Sequence, residues 1–230
     1  MIRVLLADDQ ALVREGFRAL IDREDDMAVV GEAADGAEAI RMARQLGPDL
    51  VLMDIRMPGI DGLEATRQLL TGTNSGLRVL ILTTFDQDNY LYEALKAGAS
   101  GYLLKDVRQN QLIAAIHTVT SGDALLAQSV TRRLIESFCR RPPPPTAQPP
   151  APLDRLTSRE IDVLTLMARG LSNAEIGEAI FVSESTVKTH VGRVLSKAGA
   201  RDRLQAVIVA YESGLIEPGT ANDPPERSQT

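Results

Sequence analysis

The sequence predicts two small domains of different class, an α/β domain with a parallel sheet followed by an all-α domain. Three observations predict this. Short unbroken apolar runs alternate with helical periodicity through the first half of the chain, the pattern of strands buried on both faces by crossover helices. Seven of the 12 prolines fall between Pro142 and Pro152. Beyond that run the apolar spacing is helical throughout.

In the first domain, Val4-Leu5-Leu6-Ala7 reads as a strand ending in Asp8-Asp9, and Leu12, Val13, Phe17, Leu20 and Ile21 as a helix. Met27 to Val30 is a second strand, followed by a helix through Ala37, Ile40 and Ala43. Leu50 to Met53 ends in Asp54, with a helix through Leu63, Thr66 and Leu70. Val79 to Leu82 ends in Thr83, with a helix through Leu91, Ala94 and Leu95. Tyr102 to Leu104 ends in Lys105. Asp106 is the expected cap of a last helix with Leu112, Ile113, Ile116 and Val119. Five strand–helix units in about 120 residues suit a doubly wound, flavodoxin-like fold.

Residues 122–152 read as a connector. Val130, Leu134, Ile135 and Phe138 share one helix face, so a short helix is expected over residues 129–140. Its Arg132-Arg133 and Arg140-Arg141 pairs read as solvated charge rather than a DNA arm. The proline run lacks backbone donors and favours polyproline II, a semi-rigid spacer. Residues 217–230 read as a disordered tail.

In the second domain, Thr157 with Glu160 three residues on is a capping-box pattern before Ile161, Val163, Leu164 and Met167. Gly170 ends that helix. Ser172-Asn173 starts a second, with Ile176, Ala179 and Ile180. Val182-Ser183 forms a tight turn, and Ser183 caps a third helix with Val187, Val191 and Val194. A fourth carries Leu204, Val207, Ile208 and Tyr211. Four helices with a tight turn between the second and third make a helix-turn-helix arrangement.

Composition sets the bounds. Apolar residues are 44% and charged residues 24%, ordinary globular values that exclude wholesale disorder. The net charge of −6 excludes a chain-wide electrostatic DNA binder but not a local basic face. The acidic excess lies in residues 1–138, with 14 basic and 20 acidic side chains. Residues 153–216 carry eight of each. Any nucleic-acid role therefore points to the second domain. From Ser185 to Arg201 the charged residues are Lys188, Arg193, Lys197 and Arg201, with no acid among them. A neutral domain with one basic helix can lay that helix in the major groove. The single cysteine, Cys139, fits a reducing compartment. No run is long enough to span a bilayer, so a cytoplasmic protein without membrane contact is expected.

Ligands of such sheets bind at the carboxyl ends of the strands. Asp8, Asp9, Asp54, Thr83 and Lys105 would therefore converge in one crevice. Crowded carboxylates repel unless a cation lies between them, and hard oxygen donors suit Mg²⁺. A metal with a lysine makes a site for a phosphoryl group, and a carboxylate can be its acceptor. Each residue alone is ordinarily a turn former or helix cap; their occurrence together at four strand ends is the signal.

The strings at residues 4–9, 52–62, 82–85 and 97–105 resemble the receiver domain of two-component response regulators over residues 1–121. The resemblance implies that Asp54 is the phospho-acceptor. It implies that Asp8, Asp9, Asp54 and the Arg56 backbone carbonyl hold Mg²⁺, that Thr83 and Lys105 contact the phosphoryl group, and that Thr83 and Tyr102 form a switch pair. The strings at 156–160, 170–176 and 182–191 resemble the LuxR-type DNA-binding domain, placed at residues 153–216. Together they resemble the NarL/FixJ class. That resemblance implies base contacts at Lys188, Thr189 and Gly192, with Thr186, Arg193 and Lys197 on the DNA backbone. Glycine at 192 has no side chain to read a base edge, which leaves DNA shape a larger share.

The expected function is a transcription factor phosphorylated on Asp54 by a sensor histidine kinase, binding promoter DNA as a homodimer, with RNA polymerase a further partner. Leu204, Val207, Ile208 and Tyr211 are weighed as dimer contacts against core packing. The phosphoryl donor is expected in trans, because the chain's two histidines are His117 and His190, and His117 has no acidic neighbour in its helix. The alternative is an orphan regulator of the same architecture controlled without phosphorylation. An aspartyl-phosphate phosphatase would need a second acid two residues after the nucleophile, where Arg56 stands, so no enzyme is expected.

Overall fold

The computed structural model describes residues 1–71, 76–84, 88–121 and 153–216. The expected connector helix, the proline run and the tail lie outside the described residues. The chain divides into two compact units, at residues 1–125 and 126–230.

In the first unit five strands, β1 (Ile2–Ala7), β2 (Met27–Ala33), β3 (Leu50–Asp54), β4 (Arg78–Thr83) and β5 (Gly101–Leu104), form one parallel sheet in the order β2-β1-β3-β4-β5. The helices between and after them are α1 (Ala11–Ile21), α2 (Gly36–Leu46), α3 (Gly62–Leu70), α4 (Asp88–Lys96) and α5 (Gln109–Thr120). Strand side chains alternate between faces. Val4, Leu6, Leu50, Leu52, Leu80 and Leu82 pack with Ile21 of α1 and Leu112, Ile116 and Val119 of α5. The alternate set, including Leu5, Val51, Met53, Val79 and Ile81, is equally buried. Burial on both faces is why these strands read as continuous apolar runs rather than as alternating ones. Truncating one such residue, Ile116 for instance, to alanine costs about 2–5 kcal/mol.

One expected cap moves. Asp106 does not cap α5, which starts at Gln109 with Arg108 at its N-cap. The chain first makes a turn in which the Val107 N–H donates to the Leu104 carbonyl at 3.1 Å, and that turn displaces the helix start by two residues.

The second unit begins with a short 3-10 turn, Leu153–Arg155, followed by α6 (Ser158–Ala168), α7 (Asn173–Ile180), α8 (Glu184–Ala198) and α9 (Arg203–Glu212). Thr157 and Glu160 form the expected capping box, and Ser172 with Glu175 forms a second. Ser183 caps α8 by accepting from the Thr186 N–H. The α7–α8 turn is tight: the Val182 N–H donates to the Gly177 carbonyl at 2.9 Å, and a Cβ on Gly177 would lie 2.8 Å from the Val182 carbonyl oxygen. Only glycine lets the turn close that far. Val163, Leu164, Met167, Ile176, Val187, Val194, Leu204 and Val207 form the core, each fully buried.

Candidate functional site

Asp8 follows β1, Asp54 ends β3, Thr83 ends β4 and Lys105 follows β5. The strand order sets these four ends side by side, with Asp8 and Asp54 on either side of the switch between β1 and β3. Lys105 Nζ lies 2.6 Å from Asp8 Oδ2 and 2.9 Å from Asp54 Oδ2, and none of the three side chains is more than 8% exposed. Asp9 is exposed, yet carboxylate oxygens of Asp8, Asp9 and Asp54 come within 4.8 Å of one another. The first turn of α3 presses on this corner: a Cβ on Gly62 would lie 1.9 Å from the Asp54 carbonyl oxygen. Any larger residue there would displace the backbone of Asp54.

Burial pushes the Asp54 carboxyl above its ordinary range; the Lys105 ammonium opposes this without overcoming it, and the Asp8 charge adds to the rise. Burial also pulls Lys105 down, but its hydrogen bonds to Asp8 and Asp54 outweigh that and hold the ammonium charged. Three carboxylates thus face one cation. The set is short of positive charge and offers only hard oxygen donors, so it fits a divalent cation such as Mg²⁺.

Thr83 is 1% and Tyr102 6% exposed, on neighbouring strands β4 and β5. The Thr83 carbonyl accepts from the Lys105 N–H at 2.8 Å, which ties the two strand ends. The sequence reading missed Tyr90. The Arg56 guanidinium donates to the Tyr90 hydroxyl at 3.0 Å and lies 5.7 Å from its ring centroid. The pair walls a cavity of about 460 Å³ that also touches Asp9, Ile55, Pro58 and Asp61. A tyrosine 34 residues from its partner carries no sequence signal. His117 gains an acidic neighbour that its own helix does not supply: Asp26 lies 3.6 Å from its Nε2.

In the second unit, Lys188, Thr189, Gly192 and Arg193 lie on one exposed face of α8. Lys188 is paired with Glu184 at 3.1 Å and remains 60% exposed. Thr186 is exposed at the helix start, with its hydroxyl 2.9 Å from Ser183 Oγ. Around Gly192 nothing lies within 4 Å of where a Cβ would stand. His190 is half-buried, and its Nδ1 has no hydrogen-bond partner among the described residues.

Residues 4–117 match the family described as "Response regulator receiver domain". Residues 154–210 match "Bacterial regulatory proteins, luxR family". The chain is 45% identical to the "uncharacterized transcriptional regulatory protein YxjL" of Bacillus subtilis over 216 residues, covering 94% of this chain and 98% of that protein. The chain belongs to the response regulators that carry a LuxR-type DNA-binding domain.

Other relatives extend this. The response regulator is 38% identical to the transcriptional regulatory protein LiaR of Bacillus subtilis, covering 94% of this chain and all of that one. Among solved structures it is similar to response regulator ChrA of a heme-sensing two-component system. That likeness has 39% identity and a TM-score of 0.50, covering 94% of this chain and 98% of that one. A LuxR-family response regulator from Aurantimonas shares 38% identity at a TM-score of 0.55, over 60% of this chain and 97% of that one. The two Bacillus subtilis relatives are named as transcriptional regulatory proteins. No helix among the described residues is long and apolar enough to cross a membrane.

The structure adds to two expectations for the response regulator. Leu204 and Val207 are fully buried, Ile208 is 5% and Tyr211 8% exposed. The Tyr211 hydroxyl also donates to the Ala168 carbonyl at 3.2 Å. These four pack α9 onto its own unit, which favours core packing over a dimer contact for them. Lys197, expected on the DNA backbone, is paired within its own unit and is 36% exposed. Its Nζ lies 2.7 and 2.9 Å from the two carboxylate oxygens of Glu160, which α6 keeps almost fully buried.

Proposed function

We propose that this response regulator is phosphorylated on Asp54 by a sensor histidine kinase and then binds promoter DNA as a homodimer, acting with RNA polymerase in the cytoplasm. The domain limits proposed are 1–121 for the receiver and 153–216 for the DNA-binding domain. The observation that carries the reading is Lys105 bridging Asp8 and Asp54 with Asp9 within reach.

Asp8, Asp9, Asp54 and the Arg56 carbonyl would hold Mg²⁺, which supplies charge neutralisation to an incoming phosphoryl group. An Asp54 carboxylate oxygen forms a bond to phosphorus as the bond from phosphorus to the donor's imidazole nitrogen breaks. The imidazole leaves and Asp54 becomes an acyl phosphate. Lys105 trades its contact with Asp54 for one with a phosphoryl oxygen. The Thr83 hydroxyl donates to another oxygen, and the movement of Thr83 frees or fills the space that Tyr102 occupies. In the second unit Lys188 and Thr189 read base edges, while Thr186 and Arg193 meet phosphates.

The test uses acetyl phosphate and Mg²⁺ on the full chain and on Asp54→Ala, read by intact mass and by oligomeric state. One labile phosphoryl group on the wild type alone, with dimer formation, is the expected result. If neither acetyl phosphate nor a cognate kinase labels the wild type, the phosphorylation reading fails and control without phosphorylation takes its place.

A further inference from the structure

The loop between β1 and α1 carries both Asp8 and Asp9, and one partly buried cation grips its backbone. Arg14 Nη1 donates to the Asp8 carbonyl oxygen at 2.7 Å. Its Nε lies 3.1 Å from Glu32 Oε2, and the Arg14 side chain is only 16% exposed. The other carboxylate oxygen of Glu32 is taken by Arg18 Nε at 2.5 Å. Glu32 precedes Ala33 on β2, and the Ala33 carbonyl accepts from the Asp8 N–H at 3.1 Å. Both peptide groups flanking Asp8 are therefore anchored to one point of β2, one directly and one through Arg14.

We infer that Arg14 is a positioning residue for the cation site formed by Asp8, Asp9 and Asp54, aiming Asp9 through the Asp8–Asp9 peptide plane. The inference rests on the Mg²⁺ reading of that site. The Asp8 carbonyl belongs to the planar peptide that leads into Asp9. Fixing that oxygen fixes where the Asp9 N and Cα stand, which leaves only rotation about φ and χ1 of Asp9 to aim its carboxylate. Asp9 is exposed, so packing does not hold it as it holds Asp8 and Asp54. Glu32 neutralises Arg14 locally, which makes the effect on the site geometric more than electrostatic. The strong pairing is visible at Glu32, whose carboxyl is held below its ordinary range by Arg18 first and by Arg14, against burial.

An ordinary helix-to-strand ion pair is the competing account, and the protein contains its own control. Arg18 binds the same Glu32, but its other contacts are the Val29 carbonyl at 3.5 Å and Asp22 at 3.6 Å, none of them on the β1–α1 loop. Arg18→Ala removes a comparable ion pair and leaves the grip on Asp8 in place.

The experiment measures Mn²⁺ binding by electron paramagnetic resonance on the full chain, with melting temperatures taken in metal-free buffer. Arg14→Ala is expected to weaken Mn²⁺ binding about tenfold or more, the range found when outer partners of metal ligands are lost. Arg14→Lys keeps a donor and recovers part of that loss, and Arg18→Ala stays near the wild type. Equal losses for Arg14→Ala and Arg18→Ala in step with melting temperature, or Arg14→Ala binding as tightly as wild type, would overturn the inference. A wild type that binds no Mn²⁺ would instead remove the metal reading itself, and this inference with it.

Discussion

Lys197 of α8 and Glu160 of α6 are locked together 37 residues apart, with Nζ 2.7 Å from Glu160 Oε2. The Thr157 N–H donates to the same carboxylate at 2.7 Å, so one buried acid joins the cap of α6 to α8. Lys197 first, then Thr157, pulls the Glu160 carboxyl from an ordinary 4.5 down to about 2, against burial.

This lock predicts a pH dependence. A carboxyl depressed in the fold contributes stability that is complete above its unfolded value of 4.5 and is lost as pH falls from there toward 2. Melting temperatures taken from neutral pH down to about 2 should therefore fall most steeply across that window. Lys197→Met removes the largest cause of the depression and strands a buried charge, so it should lower the melting temperature at neutral pH and flatten the acid slope. An unchanged slope would show that the pair is open in solution.

The lock also marks what the sequence could and could not reveal. Strands and helices were legible because burial on two faces writes continuous apolar runs, and one-sided burial writes a 3.6-residue period. Asp8, Asp54 and Lys105 were legible because strand ends of a parallel sheet share one edge. The Glu160 partner of Lys197 was not legible because a basic residue on a basic helix looks alike whether it faces solvent or reaches across to a buried acid. Tyr90 and Arg14 were illegible for the same reason, since their partners are set by packing between elements. Leu204, Val207, Ile208 and Tyr211 carry an apolar pattern that is identical for a core and for an interface, and only their burial separates the two.

The charge shortage at Asp8, Asp9 and Asp54 predicts stabilisation by Mg²⁺. A cation that binds only the folded chain adds about 2.7 kcal/mol at a hundred times its dissociation constant. The melting temperature of the wild type should rise with Mg²⁺, and Asp9→Asn should blunt that rise while leaving the metal-free value near the wild type, because Asp9 is exposed. An equal rise in Asp9→Asn would place the ion elsewhere.

Gly192 is an exposed glycine within α8 with open space around it. Glycine in a helix interior is roughly 0.5–1 kcal/mol worse than alanine, so Gly192→Ala should stabilise the unit by about that much. Gly192→Lys puts a cation on the face shared with Lys188 and Arg193. If that face meets DNA, binding to a random-sequence duplex should tighten, and its dependence on log salt should steepen by about 0.9 for one added phosphate contact. A salt slope equal to the wild type would turn this face away from DNA.

Phe181 is the one non-glycine with positive φ among the described residues, at φ 60, and it is 94% exposed. It closes α7 in the left-handed conformation that Gly47 and Gly199 supply after α2 and α8. A side chain in that conformation costs roughly 1–2 kcal/mol, and an exposed ring gains nothing from burial to offset it. Phe181→Gly relieves the strain but gives the unfolded chain more freedom, which returns about 0.4–1 kcal/mol. The net expectation is a gain on the order of 0.5–1 kcal/mol, seen as a higher melting temperature with DNA affinity unchanged. A lower melting temperature would mean that the ring is packed in solution against some part of the chain, and the strain at the turn would then be held in place by that contact.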